Sequence, residues 1–167
     1  MTDELIYNER VSSNRTEALF LALMVFFFLL FVWHVSAVSL DILAVVLFCF
    51  FVLFFFYSVN FRTLIIRLTS KSLKLTFGIF TWVVPFDNVE ECNLDNLPAF
   101  MRMGGAGIHF MFIRNRYRAS FNFLEYPRVV IAFKRKAGLV RDISFSTQRP
   151  DDVLQLIQEA ISANRVA

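Results

Sequence analysis

Hydrophobic residues are concentrated in two long stretches near the N-terminus. Residues 18–38 contain no Lys, Arg, Asp or Glu, and as a helix rising about 1.5 Å per residue they would span about 31 Å, enough to cross the hydrocarbon layer of a membrane. Residues 42–59 form a second uncharged stretch, and only residues 39–41 separate the two. Because so short a connection makes successive helices antiparallel, the pattern predicts a transmembrane helical hairpin over residues 18–60, with helices at about 18–38 and 42–60.

Charged residues around the predicted hairpin indicate its orientation. Arg10 and Arg15 precede the first helix and Arg62 follows the second, whereas the connection contains Asp41 and no Lys or Arg. By the positive-inside rule, we expect both termini on the cytoplasmic side of an inner or plasma membrane that the chain crosses twice.

A cleaved signal peptide is the alternative interpretation of the first stretch, because residues 35–37, Val-Ser-Ala, are typical of a cleavage site. The stretch is longer than the roughly 7–15 apolar residues of a signal peptide, and the segment before it carries several glutamates. We therefore prefer a membrane anchor. The chain then divides into a cytoplasmic N-terminal segment (1–17), the hairpin (18–60) and a cytoplasmic domain (61–167).

From Arg62 onwards the pattern changes to short β-branched and aromatic runs broken by polar residues and Gly, which is typical of antiparallel strands. Residues 94–106 are predicted to form a loop. Pro150, followed by two Asp residues, starts a predicted helix whose apolar stripe contains Val153 and Ile157. The predicted fold class is α+β, in which the hairpin is followed by a seven-stranded antiparallel β-barrel or sandwich capped by a C-terminal α-helix. The seven predicted strands are 64–69, 73–77, 79–86, 108–113, 117–123, 129–133 and 139–145.

Several turns and hydrophobic positions of this part follow one known pattern. A hydrophobic-Thr step at residues 68–69 leads through a polar turn into a Leu-rich strand, Gly78-Ile79-Phe80 breaks the run, and Val84-Pro85-Phe86 closes it. In these features, and in matching positions of its second half, the chain resembles bacterial pleckstrin-homology-like (PH-like) proteins with an N-terminal two-helix transmembrane hairpin, over roughly residues 18–162. The resemblance implies a PH-like domain. The residues with which eukaryotic pleckstrin-homology domains bind phosphoinositides have no clear counterparts in this sequence.

The sequence offers few groups for catalysis. His109 and Cys92 are the one His and the one Cys of the predicted domain, and neither lies in a nucleophile-elbow or P-loop spacing. Glu90 and Glu91 are adjacent, so on a strand they would face opposite ways and could not act as paired carboxylates. We therefore expect no enzymatic activity, no cofactor and no metal. His109 is predicted to be a strand histidine with satisfied hydrogen bonds, and both cysteines of the chain are predicted to be free thiols.

The predicted cytoplasmic domain is basic. Residues 60–167 have a net charge of +6 and residues 1–59 a net charge of −3. Because no linker separates the domain from the hairpin, its membrane-facing side would lie within a Debye length of the anionic leaflet. Solvated turns are one interpretation of the basic clusters, and contacts to anionic lipid head groups are the other. The candidate head-group contacts are Arg114, Arg116 and Arg118 in one turn, and Lys134, Arg135 and Lys136 in another.

An apolar stretch in the predicted loop is the candidate protein contact, and it contains Leu97, Phe100 and Met101. An open sheet edge could also accept a strand from a partner or from a second copy. We expect a non-enzymatic, membrane-anchored interaction or scaffold module that binds a protein or self-associates at the cytoplasmic membrane surface. Binding of anionic lipid head groups is the alternative function, and nucleic acid is not an expected partner.

Overall fold

The computed structural model describes residues 4–95, 106–113 and 116–166, with side chains described as far as Ala163. The chain is a mixed α+β structure with two long helices, two sheets and a C-terminal helix. In chain order the elements are β1 (Leu5–Ser12), α1 (Asn14–Ala37), α2 (Ile42–Asn60), β2 (Thr63–Thr69), β3 (Ser72–Phe77), β4 (Phe80–Pro85), a 3-10 turn (Phe86–Asn88), β5 (Val89–Leu94), β6 (Gly107–Ile113), β7 (Arg116–Asn122), β8 (Arg128–Ala137), β9 (Val140–Ser146) and α3 (Pro150–Val166).

Helices α1 and α2 form the predicted antiparallel hairpin. The Ser13 side chain accepts a hydrogen bond from the Thr16 backbone N–H at 3.0 Å, which caps the N-terminus of α1. Asp41 caps α2 in the same way through the Ala44 backbone N–H at 2.9 Å. Phenylalanine rings of the two helices pack against each other. The Phe27 ring of α1 is stacked on the Phe50 ring of α2, with 4.9 Å between the ring centroids. Both helices are long and apolar enough to span a membrane.

The first sheet, called sheet A, has the strand order β1-β2-β3-β4 and is antiparallel throughout. The helical hairpin is inserted between two neighbouring strands of this sheet, because β1 precedes α1 and β2 follows α2. Ser12, just before α1, is paired with Thr63, just after α2. The predicted division of the chain, with residues 1–17 outside the domain and without a strand, is therefore wrong for residues 5–12. The signal in β1 is weak because Leu5, Ile6 and Tyr7 follow one another without alternation and only Val11 is fully buried.

The second sheet, called sheet B, has the strand order β5-β8-β9-β7-β6. The predicted hairpins that correspond to β2–β3, β6–β7 and β8–β9 are confirmed. The prediction of seven antiparallel strands is wrong, because the described residues form nine strands and β7 pairs with β9 in parallel. The sequence pattern does not predict strand β5, because Glu90 and Glu91 make this segment polar. The register of β5 with β8 shifts at these residues. In the described part of the chain the two sheets do not close into a barrel.

The core lies between one face of each sheet and α3. Val153 and Ile157 of α3 are fully buried, as its apolar stripe predicted, and the helix packs on β5 and on the 3-10 turn. Fully buried side chains of both sheets and of the segments next to them fill the interior. The largest of these are Phe77, Phe86, Phe123, Phe145, Leu64, Ile66, Leu68, Leu73, Leu75, Ile131 and Ile143.

The end of α2 is packed into this core through a set of rings that we call the aromatic joint: Tyr57, Phe61, Phe77 and Phe123. Phe61 is buried and lies 4.8 Å from Tyr57 and 5.0 Å from Phe77, measured between ring centroids. Phe77 in turn lies 5.1 Å from Phe123, the residue that follows β7 of sheet B. Because each pair is within the range of favourable ring contacts, the hairpin and the sheets share one continuous apolar interior.

Gly78 is required where the β3–β4 turn meets α2. Its φ is +60°, and a Cβ at this position would overlap the backbone carbonyl of Asn60. We expect Gly78→Ala to destabilise the protein by about 2–4 kcal/mol, because backbone strain of about 1–2 kcal/mol adds to overpacking. Gly138→Ala is the matched control, since φ is +65° there and no atom lies within 4 Å of the added Cβ. Thermal unfolding of both variants tests the difference, and equal losses would contradict the packing at Asn60.

Candidate functional site

The pairing of the strands defines two ends of the domain. Strand β2 begins at Thr63 beside α2, and β3 ends at Phe77, just before Gly78, which lies against Asn60. Gly107, at the start of β6, lies against Phe61. We call this the hairpin end, and the opposite end of the strands the distal end. A strand of seven residues separates the two by about 20 Å.

The predicted basic contacts that the structure describes lie toward the distal end. Arg116 begins β7 there, and Lys134 is six residues, about 20 Å, along β8 from Arg128 at the hairpin end. The 3-10 turn holds this part of β8, because Lys134 Nζ donates to the Asp87 carbonyl at 2.9 Å. Since β7 and β9 are neighbours, the fold brings the β6–β7 and β8–β9 turns to the same end. Arg114, and the candidate protein contacts Leu97, Phe100 and Met101, lie outside the described residues.

Arg118 is a buried ion-pair partner and points away from solvent, with 10% of its side chain exposed. Its guanidinium lies 3.3 Å from Asp95 Oδ1 and 3.5 Å from Asp142 Oδ2. Arg116 reaches the other oxygen of Asp142 at 3.3 Å, and 39% of its side chain is exposed. Asp142 therefore joins two arginines that the sequence analysis placed together in one surface cluster.

These charges belong to a polar face of sheet B, on the side opposite the core. Register places Arg118 against Asp142 and Ser120 against Ser144 on the parallel pair β7–β9. Ser144 Oγ donates to Ser120 Oγ at 2.9 Å, and Asn122 donates to Ser144 Oγ at 3.4 Å. A cavity of about 700 Å³ lies over this face. Its lining includes Glu91, Asn93, Arg116, Arg118, Asp142 and Leu154.

His109 lies on this face of β6, and its environment differs from the predicted one. Neither ring nitrogen has a hydrogen-bond partner among the described residues, whereas the sequence analysis expected satisfied hydrogen bonds. Burial, together with the nearby Arg128 charge, lowers the pKa of His109 from 6.5 to about 4. The imidazole is therefore neutral at pH 7.

The described part of the chain has few side chains suited to nucleophilic catalysis or to metal binding. Burial raises the pKa of the Cys92 thiol to about 12, so it stays protonated and is a poor nucleophile. Cys49 and Cys92 are both free, as predicted. Across residues 4–95, 106–113 and 116–166, no group of three or more His, Cys, Asp or Glu side chains could hold a metal ion.

An exposed aromatic surface lies where β6 and β7 approach the distal end. The Phe112 and Tyr117 rings are 5.0 Å apart, Phe110 stacks on Tyr117 at 5.7 Å, and 77% of Phe112 is exposed. Leu139, at the β8–β9 turn, is also exposed. We call this surface the distal rim. The name covers these aromatic residues together with the exposed and charged residues around the β8–β9 turn, which the pairing of β7 with β9 brings to the same end: Leu139, Arg141 and the basic run Lys134, Arg135 and Lys136.

The exposed aromatic residues of β6 are not among the site residues predicted from the sequence. The available signal was that residues 108–113, Ile-His-Phe-Met-Phe-Ile, carry large apolar side chains at both odd and even positions. A strand with one face on the core and one in water alternates instead. Such a run is compatible either with a strand buried on both faces or with an exposed apolar surface, and only the tertiary structure distinguishes them.

No protein-family model matches this chain. Comparison with curated proteins and with solved structures likewise gives no match. The resemblance to PH-like proteins thus rests on the turns and hydrophobic positions of the sequence. The structure itself supports a coarser description, which is two apolar helices at the N-terminus and a sheet-rich C-terminal domain.

Substitution of Arg118 tests the buried ion pairs. Arg118→Met removes a buried counter-charge from Asp95 and Asp142, and we expect a loss of about 3–5 kcal/mol in the free energy of unfolding. Arg116→Met is the matched control, because its partly exposed pair to the same Asp142 is worth at most about 1 kcal/mol. Chemical denaturation of the full chain measures both losses. Similar small losses for the two variants would show that Arg118 is not held in the buried pair.

The lowered pKa of His109 predicts that the protein loses stability in acid. As the pH falls below 6.5 the unfolded chain binds a proton at this residue, whereas the folded chain does so only near pH 4. The neutral His109 imidazole therefore makes its full contribution to the free energy of unfolding above pH 6.5, and this contribution is lost between pH 6.5 and 4. Allowing for partial exposure, we expect a loss of about 1–2 kcal/mol. The free energy of unfolding, measured at pH 7.5 and at pH 4.5, should fall less for His109→Gln than for the wild type. An equal fall in the two proteins would contradict this assignment.

Proposed function

We propose that this chain is a non-enzymatic, membrane-anchored interaction module whose PH-like domain binds a protein partner through the distal rim. The observation that carries the proposal is the exposed aromatic surface that Phe110 and Phe112, in the middle and distal half of β6, form with Tyr117 near the start of β7. Exposed aromatic clusters of this kind are unusual on a surface that meets only water.

Membrane anchoring is supported by the two apolar helices and by the groups at their ends. Asp41 lies between the helices, where His34 Nε2 approaches its carboxylate at 2.8 Å. Arg15 and Arg62 lie at the opposite end of the hairpin and pair with Glu125 and Glu17, respectively. With the positive-inside rule this distribution favours a cytoplasmic domain and cytoplasmic termini.

A PH-like assignment is supported by the architecture and by the turns. Two packed sheets followed by a C-terminal helix correspond to the fold that the sequence resemblance implies. Gly78, which the resemblance uses as a break between strands, adopts the positive φ that such a turn requires. The additional strand β1 and the parallel pair β7–β9 are departures from the predicted strand set.

The composition and position of the distal rim favour a protein partner over the lipid surface of the membrane that holds the hairpin. Aromatic side chains and Arg are enriched at the centres of protein interfaces, where they account for most of the binding energy. The basic run 134–136 is about 20 Å from the hairpin end, more than twice the Debye length of about 8 Å at physiological salt. Attraction to the leaflet that holds the hairpin is therefore strongly screened at this distance.

The chemistry of the rim also indicates what the partner presents. Phe112 and Leu139 would contact apolar side chains, and Lys136 and Arg141, which flank the β8–β9 turn, would pair with carboxylates. A second copy would bring the same four cations to the contact, and like charges placed opposite each other are unfavourable. We therefore propose a different protein, with an apolar and acidic contact surface, ahead of self-association.

Partner capture with rim variants tests the proposal. Phe112→Ser removes a ring of the kind that forms interface hot spots, and a loss of about 2 kcal/mol would weaken binding about 30-fold. Val83→Ser is the control, since Val83 is an exposed strand residue outside the rim. Quantitative mass spectrometry of cross-linked, membrane-extracted chain should show one set of proteins lost from the Phe112 variant and retained by the Val83 variant.

Two results would contradict the proposal. Equal recovery of all proteins with Phe112→Ser would show that the rim is not a binding surface. Binding of anionic vesicles to the reconstituted full chain, lost when Lys134, Arg135 and Lys136 are changed to Glu, would instead support the head-group alternative.

A further inference from the structure

The β3–β4 turn packs directly against the end of the second membrane-length helix. Gly78 lies on the Asn60 backbone, so closely that only a residue without a Cβ fits there. The Phe80 ring lies 6.4 Å from Phe56 of α2 and 6.1 Å from Phe61, measured between ring centroids. The turn therefore extends alongside the last turn of α2.

The length of α2 fixes the depth of this turn relative to a bilayer. Its 19 residues rise about 28 Å, close to the hydrocarbon thickness of about 30 Å. Phe56 is four residues, about 6 Å, before the end of the helix. A ring that contacts Phe56 lies at the level where hydrocarbon meets head groups, the layer in which aromatic side chains are enriched.

The turn has the surface chemistry of a membrane contact. Ile79 at its tip is 72% exposed and Phe80 is also exposed. The sequence carries no charged residue from Leu75 to Phe86. An uncharged, exposed apolar tip beside a membrane-length helix is unfavourable in water and favourable in the interfacial layer.

The β8–β9 turn provides an internal comparison. Gly138 and Leu139 repeat the Gly-apolar arrangement, with φ of +65° and a side chain 78% exposed. This second tip lies at the distal end, and charged residues at positions 134–136 and 141 flank it. The two turns are similar in local structure and differ in their distance from the hairpin.

We propose that the β3–β4 turn inserts Ile79 and Phe80 into the interfacial layer of the bilayer that holds α1 and α2, as a third membrane attachment. The inference rests on the proposed membrane anchoring. Three points of attachment define the tilt of the domain, and they direct the distal rim away from the bilayer.

Photo-cross-linking to lipid tests this inference in the full chain. The photoreactive residue p-benzoylphenylalanine is introduced singly in place of Ile79, Leu139 or Phe28, each of which is exposed. The proteins are reconstituted in phosphatidylcholine–phosphatidylglycerol nanodiscs and irradiated, and the mass of a one-lipid adduct is measured. We expect adducts at positions 79 and 28, at least about tenfold above that at position 139, because only those two positions are in contact with lipid.

The control positions separate the possible failures. An adduct at position 28 with only the background of position 139 at position 79 would overturn the third attachment and leave the membrane anchor intact. No adduct at position 28 would overturn the anchor and this inference together. Equal adducts at positions 79 and 139 would also overturn it, because contact would then not depend on the hairpin end.

Discussion

Attachment of the helical hairpin through two hydrogen-bonded neighbouring strands is the constraint on which the rest of the structure depends. Ser12 and Thr63 are paired, so the chain leaves sheet A into α1 and returns from α2 at the same place. A domain joined to a helix by one linker can rotate about it, whereas two paired strands remove that freedom. The hairpin end and the distal end of the domain follow from this connection, and so does the side on which each exposed surface lies.

Packing at the junction reinforces the strand connection. The aromatic joint places Phe61 inside the core, and Tyr126 donates to the Ser12 carbonyl at 2.8 Å. Glu9 of β1 accepts hydrogen bonds from Thr147 Oγ1 at 2.6 Å and from the Gln148 backbone N–H at 2.8 Å, at the end of sheet B. Apolar contacts and hydrogen bonds thus connect the N-terminal strand, the hairpin and both sheets. The hairpin end is for this reason a packed part of the domain, with no linker in between.

The polar face of sheet B shows that the order of basic residues in the chain does not determine which of them are exposed. Arg116 and Arg118 are two residues apart and share a face, yet one is partly exposed and the other is buried between two carboxylates. Asp142 is 24 residues from Arg118 and becomes its partner only through the parallel pairing of β7 with β9. Burying such a charge is costly unless it is paired. A slip of one residue in β7 would turn Arg118 toward the core, which makes this register the favourable one.

The sequence alone determined the features that depend on local pattern: two membrane-length helices, three β-hairpins and the apolar stripe of α3. Each is encoded by residues close together in the chain, through periodicity, turn residues and helix caps. Tertiary structure alone decided the pairing of β1 with β2 across the helices, the parallel pair β7–β9, the burial of Arg118 and the placement of the basic turns at the distal end. These depend on contacts between segments far apart in sequence, and neither residue type nor spacing specifies which distant segment will be the neighbour.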